Sequence, residues 1–304
     1  MKKHQLQSFL FMFICFVFMH GVALSSEKVE VFVSIPPQKW ICEHVGKELV
    51  KTSILVDNGQ EPHTFEPRPK QILAFSRASL FFGVGLEFEQ ELIRRLGKNS
   101  PNLYIVDTTE GIHRIPMEMP DHGHRDHRKG EINHGHGVTL DPHVWLSPRN
   151  LKIMAAAMAE ALASEDPAHR RNYENNLAEL NRKLDDLDQK ITGMLAPFHN
   201  ASFFVFHPAF GYFADSYHLQ QVAVETGGKS PTPRQLSVLI RRARDEGVKV
   251  IFVQSQFDPK SANAVAAAIG GKVVALDPLA EDVEANLKIM AERIVQALLG
   301  QEKR

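Results

Sequence analysis

The sequence has little cysteine, almost no net charge and a single long hydrophobic run. Two Cys in 304 residues exclude a disulfide-dense scaffold. A formal net charge of −1 provides no excess of positive charge that would indicate a nucleic-acid partner. With 43% hydrophobic residues the chain can bury a sizeable core, and its length allows about two domains. The residue in excess is histidine, because 15 are present and seven of them lie between 113 and 143.

The first 26 residues have the pattern of a secretory signal peptide. Two lysines precede an apolar run at 9–19, and small residues follow it. This run is shorter than the roughly 20 residues that a membrane-spanning helix needs, so we expect the segment to be cleaved and the rest of the chain to be exported. Cys42 is then the remaining cysteine, and its apolar neighbours indicate a buried small side chain.

From residue 29 onward, short β-rich runs alternate with helical patterns, which is typical of βαβ units in parallel sheets. The same alternation occurs in both halves of the chain. The predicted strands are 29–35, 51–56, 80–85, 103–107, 202–207, 221–225, 248–254 and 272–277. The predicted helices are 37–49, 68–78, 87–96, 149–164, 210–219, 232–247, 259–270 and 281–299.

A long amphipathic helix is predicted between the two halves. From 167 to 195, apolar residues recur every three or four positions with charged residues between them, and such a helix would be roughly 40 Å long. A coiled-coil dimerisation helix is the alternative, but four heptads between α/β patterns favour packing within one chain and a monomer. We expect parallel-sheet α/β domains at 27–165 and 197–304, joined by a rigid linking helix at 166–196.

Four side chains that can bind a metal lie at predicted strand ends or turns, each beside a proline. His63 follows the second strand, and His143 lies in a proline-flanked turn. His207 and Asp277 each close a strand. Because parallel sheets bind ligands beyond the carboxyl ends of their strands, we expect these residues to meet in the cleft between the domains. Three imidazoles and one carboxylate form a ligand set for tetrahedral zinc.

The motifs around these residues are GQEPHTFEPRP, DPHVWLSPRN, FFVFHPAFGYFADSYHL and VVALDPLAED, in this order. Together they resemble the periplasmic zinc-binding components of ABC-type metal-uptake transporters over about 29–299. The resemblance implies two α/β domains joined by a rigid helix, with Zn²⁺ bound in the cleft as the transported ligand. It also implies a periplasmic location, and a membrane permease with its cytoplasmic ATPase as partners. Matched residue by residue, it makes His63, His143 and His207 metal ligands, with Asp277 at the carboxylate position.

Within that family, a His at position 207 goes with zinc and a Glu goes with manganese, in agreement with the oxygen preference of manganese. The chain departs from the family twice. One remaining Cys cannot form the disulfide that the zinc proteins often carry in the second domain. Glu61 stands where many relatives have Asp, which leaves open whether Glu61 reaches the metal and whether Asp277 binds it directly or through water.

A segment rich in glycine and histidine at 121–137 interrupts the α/β pattern and predicts a loop. Its histidines could form a secondary metal site, although ordering so many glycines is entropically costly. We interpret the segment as a lower-affinity collector of metal near the mouth of the cleft, with an inert solvated loop as the alternative. The histidines concerned are His122, His124, His127, His134 and His136.

Three other functions compete with zinc carriage. An exported zinc hydrolase would need an open coordination position and a general base, but the HExxH and GxSxG motifs are absent, so we predict no enzyme. A carrier of manganese or another divalent metal with the same fold is the second alternative. An adhesin is a weaker third, because neither a Ser/Thr-rich stalk nor repeats are visible.

Overall fold

The computed structural model describes residues 28–96, 100, 102–117, 139–225, 232–257 and 260–302. The predicted signal peptide and the histidine-rich segment lie outside the described residues, and with that segment the five predicted secondary ligands. Among the helices of the described ranges, none combines the length and apolar character needed to cross a membrane. The five predicted secondary ligands outside the described residues are His122, His124, His127, His134 and His136.

The described residues form two four-stranded parallel sheets and nine α-helices. The strands are β1 (Val29–Val33), β2 (Val50–Ile54), β3 (Leu80–Gly83), β4 (Tyr104–Asp107), β5 (Ser202–Val205), β6 (Gln220–Ala223), β7 (Val250–Val253) and β8 (Lys272–Ala275). The helices are α1 (Pro36–Gly46), α2 (Pro69–Phe75), α3 (Glu87–Leu96), α4 (Pro148–Glu165), α5 (Arg170–Leu195), α6 (Gly211–Ser216), α7 (Pro233–Asp245), α8 (Lys260–Ala268) and α9 (Val283–Glu302).

Both sheets have the same strand order. The first runs β2-β1-β3-β4 and the second β6-β5-β7-β8, so the direction of winding reverses between β1 and β3 and again between β5 and β7. In the first sheet Val33 pairs with Ile54 and with Phe82, and in the second Val205 pairs with Ala223 and Phe252. A reversal of this kind opens a crevice at the carboxyl ends of the strands.

Most strands end one or two residues earlier than the sequence predicts, and two of these early ends precede predicted metal ligands. β5 stops at Val205 and β8 at Ala275, so His207 and Asp277 each lie two residues beyond the sheet. A proline follows each of them, and proline cannot donate a hydrogen bond to a strand ladder. The His207 amide instead donates to Gln254 Oε1 at 3.3 Å. These two side chains are therefore presented by turns rather than by regular strands.

Helix α5 is the long helix that the sequence predicts. It has 26 residues, preceded by a short 3₁₀ turn at Pro167–His169, and is about 39 Å long at 1.5 Å per residue. Its apolar face packs within the chain, against α1, α4 and α9. This packing confirms the predicted linking helix. The buried residues of that face are Tyr173, Leu180, Leu184, Leu187, Ile191 and Leu195.

A continuous apolar core joins the two halves. Val33 of the first sheet, Leu184 of α5 and Phe203 of the second sheet belong to the same buried cluster. The Trp145 indole also donates to the Pro278 carbonyl at 2.7 Å. Burial of this apolar surface opposes any motion that would separate the sheets, because separation would expose it to water.

Cys42 lies in α1 and is fully buried and free. The Thr52 hydroxyl donates to its sulfur at 3.4 Å, and burial raises the pKa of the thiol to about 12. Because a thiolate is the reactive and metal-binding form, Cys42 acts as a small apolar side chain, as its sequence neighbours indicated.

Candidate metal centre

Three imidazoles from distant parts of the sequence meet at the carboxyl ends of the strands. His63, His143 and His207 each offer one ligand nitrogen, and these atoms all lie within 4.8 Å of one another. Across the described ranges, no other cluster of three or more His, Cys, Asp or Glu has such a spacing. The three residues are separated by 80 and 64 positions in sequence (143 − 63 and 207 − 143), so the fold itself assembles the cluster.

The spacing of the rings suits one small ion. The ring centroids are 5.6 Å apart for His63 and His143, 5.4 Å for His63 and His207, and 5.3 Å for His143 and His207. Imidazoles that bind a tetrahedral zinc through one nitrogen each, at about 2.0–2.1 Å, have centroids roughly 5 Å apart. A contraction of a few tenths of an ångström would therefore close the three rings on a zinc ion.

His207 lies where the winding of the second sheet reverses, between β5 and β7. Gln254, which follows β7, returns a bond from its amide nitrogen to the His207 carbonyl at 2.8 Å. On the ring, Nδ1 is 2.5 Å from Glu225 Oε1, and since a carboxylate can only accept, Nδ1 carries the proton. Nε2 is buried and has no hydrogen-bond partner. A buried acceptor without a partner needs an explanation, and its lone pair can bind a metal.

His143 is held in the same manner. It is 4% exposed, and its Nδ1 lies 2.7 Å from Asp141 Oδ1. The His143 amide donates to the same oxygen at 2.9 Å, so Asp141 fixes both the backbone and the ring. Hydrogen bonding at Nδ1 leaves Nε2 as the ligand atom, an arrangement that is common among metal-binding histidines.

His63 is the most accessible of the three imidazoles. It lies in a short 3₁₀ turn at Pro62–Thr64, whose first amide contact is His63 N donating to Glu61 Oε1 at 3.0 Å. Its side chain is 31% exposed. Burial lowers the pKa of the imidazole below its ordinary value of 6.5, Glu61 opposes this shift, and His207 adds to it. At neutral pH His63 is therefore uncharged and able to bind a metal.

The space between the imidazoles is small. Its walls include Leu86, Trp145, Phe257 and Leu279, and its volume is about 20 Å³. Such a volume holds one water molecule or one ion. Phe257 stacks on the His207 ring with centroids 4.9 Å apart, which limits the access of water to that ring.

Two predicted carboxylate ligands are not part of the three-histidine group. Asp277 Oδ1 accepts from the Leu279 amide at 2.9 Å and from Gln256 Nε2 at 3.1 Å, so one of its oxygens is used to form its own turn. Glu61 Oε1 lies 4.0 Å from His63 Nε2. Glu61 lines the candidate centre, and so does Leu279, which lies just beyond Asp277. Neither carboxylate joins the cluster, and whether either binds metal stays a prediction.

Asp141 and Glu225 are the polar residues that sequence reasoning missed. Asp141 precedes His143 by two positions, and this short Asp-Pro-His spacing was a usable signal. Glu225 lies just beyond β6, 18 positions from His207, and it meets His207 because β6 and β5 are neighbours. Only the strand order reveals that pair.

Comparison with known proteins gives the family. The family model for the periplasmic component A of the zinc-uptake complex, ZnuA, matches residues 31–298. The high-affinity zinc uptake system protein ZnuA of Brucella abortus is 27% identical over 294 residues, covering 87% of this chain and 88% of its own. A putative metal-binding protein of Chlamydia muridarum is 29% identical over 276 residues, with 90% and 93% covered.

Solved structures agree with this result. A crystal structure of ZnuA is similar to the chain with a TM-score of 0.81 and 38% sequence identity, covering 89% of this chain and 99% of that one. A zinc-bound deletion mutant of ZnuA gives a TM-score of 0.79, also at 38% identity, with 89% and 98% covered. The resemblance indicated by the motifs is thus confirmed: the chain belongs to the family of periplasmic A components of zinc-uptake complexes.

Proposed function

We propose that the chain captures Zn²⁺ outside the cytoplasm with His63, His143 and His207 and delivers it to the permease of an ABC-type importer. The observation that carries this proposal is the cluster of three imidazole nitrogens within 4.8 Å, built on a shared core. Zinc uptake by family members supports the choice of cargo. The histidine-rich segment at 121–137 collects metal for this centre with lower affinity.

The fourth position on the ion is supplied by Asp277, Glu61 or a water molecule. All three solutions give the tetrahedral coordination that zinc favours. In the free protein each carboxylate uses one oxygen in a local contact, Asp277 Oδ1 with the Leu279 amide and Glu61 Oε1 with the His63 amide. The second oxygen of either side chain is the one that would bind the ion. His63, the most exposed imidazole, is the ligand that admits and releases the ion, while His143 and His207 stay in place.

Two alternatives fit the centre less well. A zinc hydrolase also needs an open position on its metal and a general base, but the HExxH and GxSxG motifs are absent. Manganese prefers oxygen ligands, whereas the cluster offers three nitrogens. Carriage of zinc is the function that the centre supports best.

Growth on limiting zinc tests capture and delivery together. A strain lacking the gene for this chain should grow poorly in medium depleted of zinc by a chelator. The wild-type chain should restore growth, and a His143→Ala/His207→Ala double variant should not. A His199→Ala variant, altered at an exposed histidine outside the cluster, should restore growth fully. Equal growth with the double variant would refute the proposal.

Zinc affinity should fall as the medium becomes acidic. An imidazole must be unprotonated to bind metal, and burial holds the pKa of His63 below 6.5. We therefore expect the zinc affinity to be nearly constant above pH 7 and to decrease once the pH drops below 6.5. His63 should become protonated at a lower pH than an ordinary histidine does. Competition with a zinc chelator at pH 7.5 and pH 5 measures this, and equal affinities at the two values would contradict it.

A further inference from the structure

The three imidazoles of the proposed zinc site are neutral ligands, so they do not balance the charge of a divalent cation. Leaving a charge uncompensated away from water is costly. Whichever group takes the fourth position, two buried carboxylates lie behind the imidazole ligands. They are Asp141 and Glu225, which are 1% and 3% exposed.

Each carboxylate is one hydrogen bond away from a ligand ring. Asp141 Oδ1 is 2.7 Å from Nδ1 of His143, and Glu225 Oε1 is 2.5 Å from Nδ1 of His207. An ion bound at the opposite ring nitrogens would then lie roughly 6–7 Å from each carboxylate, by addition of a Zn–N bond, the ring and the hydrogen bond. Over that distance two fixed anions attract a buried cation in proportion to its charge.

The surroundings of Asp141 exclude water. Its Oδ2 lies so close to Gly211 that a Cβ added there would be only 2.5 Å from the oxygen. The nearby Arg114 guanidinium donates to the backbone carbonyl of Asp141 at 3.4 Å and to the Thr109 hydroxyl at 3.2 Å. Both of these Arg114 bonds go to atoms other than the Asp141 carboxylate oxygens. Asp141 Oδ1 therefore pairs with the His143 ring. Low exposure keeps the effective dielectric constant low, which strengthens the attraction of the carboxylate for a bound ion.

We propose that Asp141 and Glu225 determine the charge selectivity of the site, favouring divalent over monovalent cations. Imidazole ligands accept zinc and copper alike, so the three rings alone do not discriminate strongly against Cu⁺. The two carboxylates do, because their attraction for a doubly charged ion is twice that for a singly charged ion. This inference rests on the proposed function, since it assumes that the three histidines bind the cargo.

A purely orienting role would have a different consequence. If the carboxylates only fixed the rings in position, replacing a carboxylate by an amide would reduce the affinity for both ions by the same factor. A charge role instead predicts that the loss in log affinity for Cu⁺ is half the loss for Zn²⁺. The ratio of the two losses therefore separates charge selectivity from positioning.

The test uses Glu225→Gln and Asp141→Asn in the full exported chain. Each amide retains an oxygen that can accept from Nδ1 but carries no charge. Dissociation constants for Zn²⁺ and for anaerobic Cu⁺ are measured by competition with chromogenic chelators. We expect each substitution to lower the affinity for zinc by about 10–100-fold, which is the usual effect of removing a hydrogen-bond partner of a metal-binding residue. The corresponding loss for Cu⁺ is about 3–10-fold, the square root of that factor.

Asp166→Asn is the matched control. Its carboxylate lies 2.7 Å from Nδ1 of His169, the same pairing, but His169 is outside the three-histidine cluster, so neither affinity should change. The number of sites is fitted together with each dissociation constant, so that a general loss of folded protein lowers the number of sites and is not counted as a loss of affinity. Equal losses for the two ions would overturn the inference and leave zinc carriage intact. A wild-type chain that binds no zinc would overturn both.

Discussion

Replacing His143 or His207 by alanine is expected to weaken zinc binding by roughly 10²–10³-fold. Structural zinc sites contribute about 10–16 kcal/mol through four ligands, so one ligand is worth roughly 2.5–4 kcal/mol, and about 1.4 kcal/mol corresponds to a tenfold change. Both rings are buried, at 4% and 6% exposure, so water cannot easily replace the lost nitrogen. His63→Ala should reduce the zinc affinity by a smaller factor, because that side chain is 31% exposed and water can occupy its position.

Chelator competition at pH 7.5 measures these losses. His44→Ala and His199→Ala are suitable controls, since neither residue belongs to the three-histidine cluster and both should keep the wild-type affinity. An unchanged affinity after loss of His143 or His207 would show that the ion binds elsewhere in the chain.

His207→Glu should shift the preference of the site from zinc toward manganese by at least about tenfold, or about 1.4 kcal/mol. The substitution replaces a nitrogen ligand with an oxygen ligand, which manganese prefers. The new carboxylate would lie beside Glu225, which now pairs with His207 at 2.5 Å. Two buried carboxylates at that distance repel each other, so the single variant should bind both metals less tightly.

Adding Glu225→Gln to His207→Glu removes this repulsion. The double variant should recover affinity while keeping the new ranking of metals, as measured by direct competition between Zn²⁺ and Mn²⁺. His199→Glu makes the same change at an exposed position and should leave the ranking unaltered. An unchanged ranking in the His207 variants would argue against His207 as a ligand.

The alternation of strands and helices could be predicted because local signals suffice for it. β-Rich runs separated by helical periods define both sheets, and the regular spacing of apolar residues defines α5. The carboxyl ends of most strands, β5 and β8 among them, could not be predicted as well. The apolar pattern runs on to His207 and Asp277, whereas the strands end two residues earlier, before Pro208 and Pro278.

The candidate centre was only partly predictable for a related reason. His63, His143 and His207 could be named because each lies beside a proline near a strand end or turn. The contact between Glu225 and His207 depends on the pairing of β6 with β5, which no local pattern specifies. The orientation of Asp277 depends on its bond with the Leu279 amide, a detail of one turn that its sequence does not reveal.

The shared core bears on how the ion enters and leaves. Helix α5 packs against α1, α4 and α9, and Trp145 joins the two halves through Pro278. Wide opening of the cleft would break this packing. We therefore expect the ion to enter and leave by a small local movement of the turn at Pro62–Thr64, which carries His63, the most exposed of the proposed ligands.

X-ray absorption spectroscopy at the zinc edge tests the proposed ligand set most directly. For the exported chain loaded with one equivalent of zinc, we expect three imidazole nitrogens and one further nitrogen or oxygen at about 2.0–2.1 Å. The imidazole signal should drop to two rings in His207→Ala. A spectrum with a sulfur neighbour near 2.3 Å, or with fewer than three imidazoles in the wild-type chain, would contradict zinc capture by His63, His143 and His207.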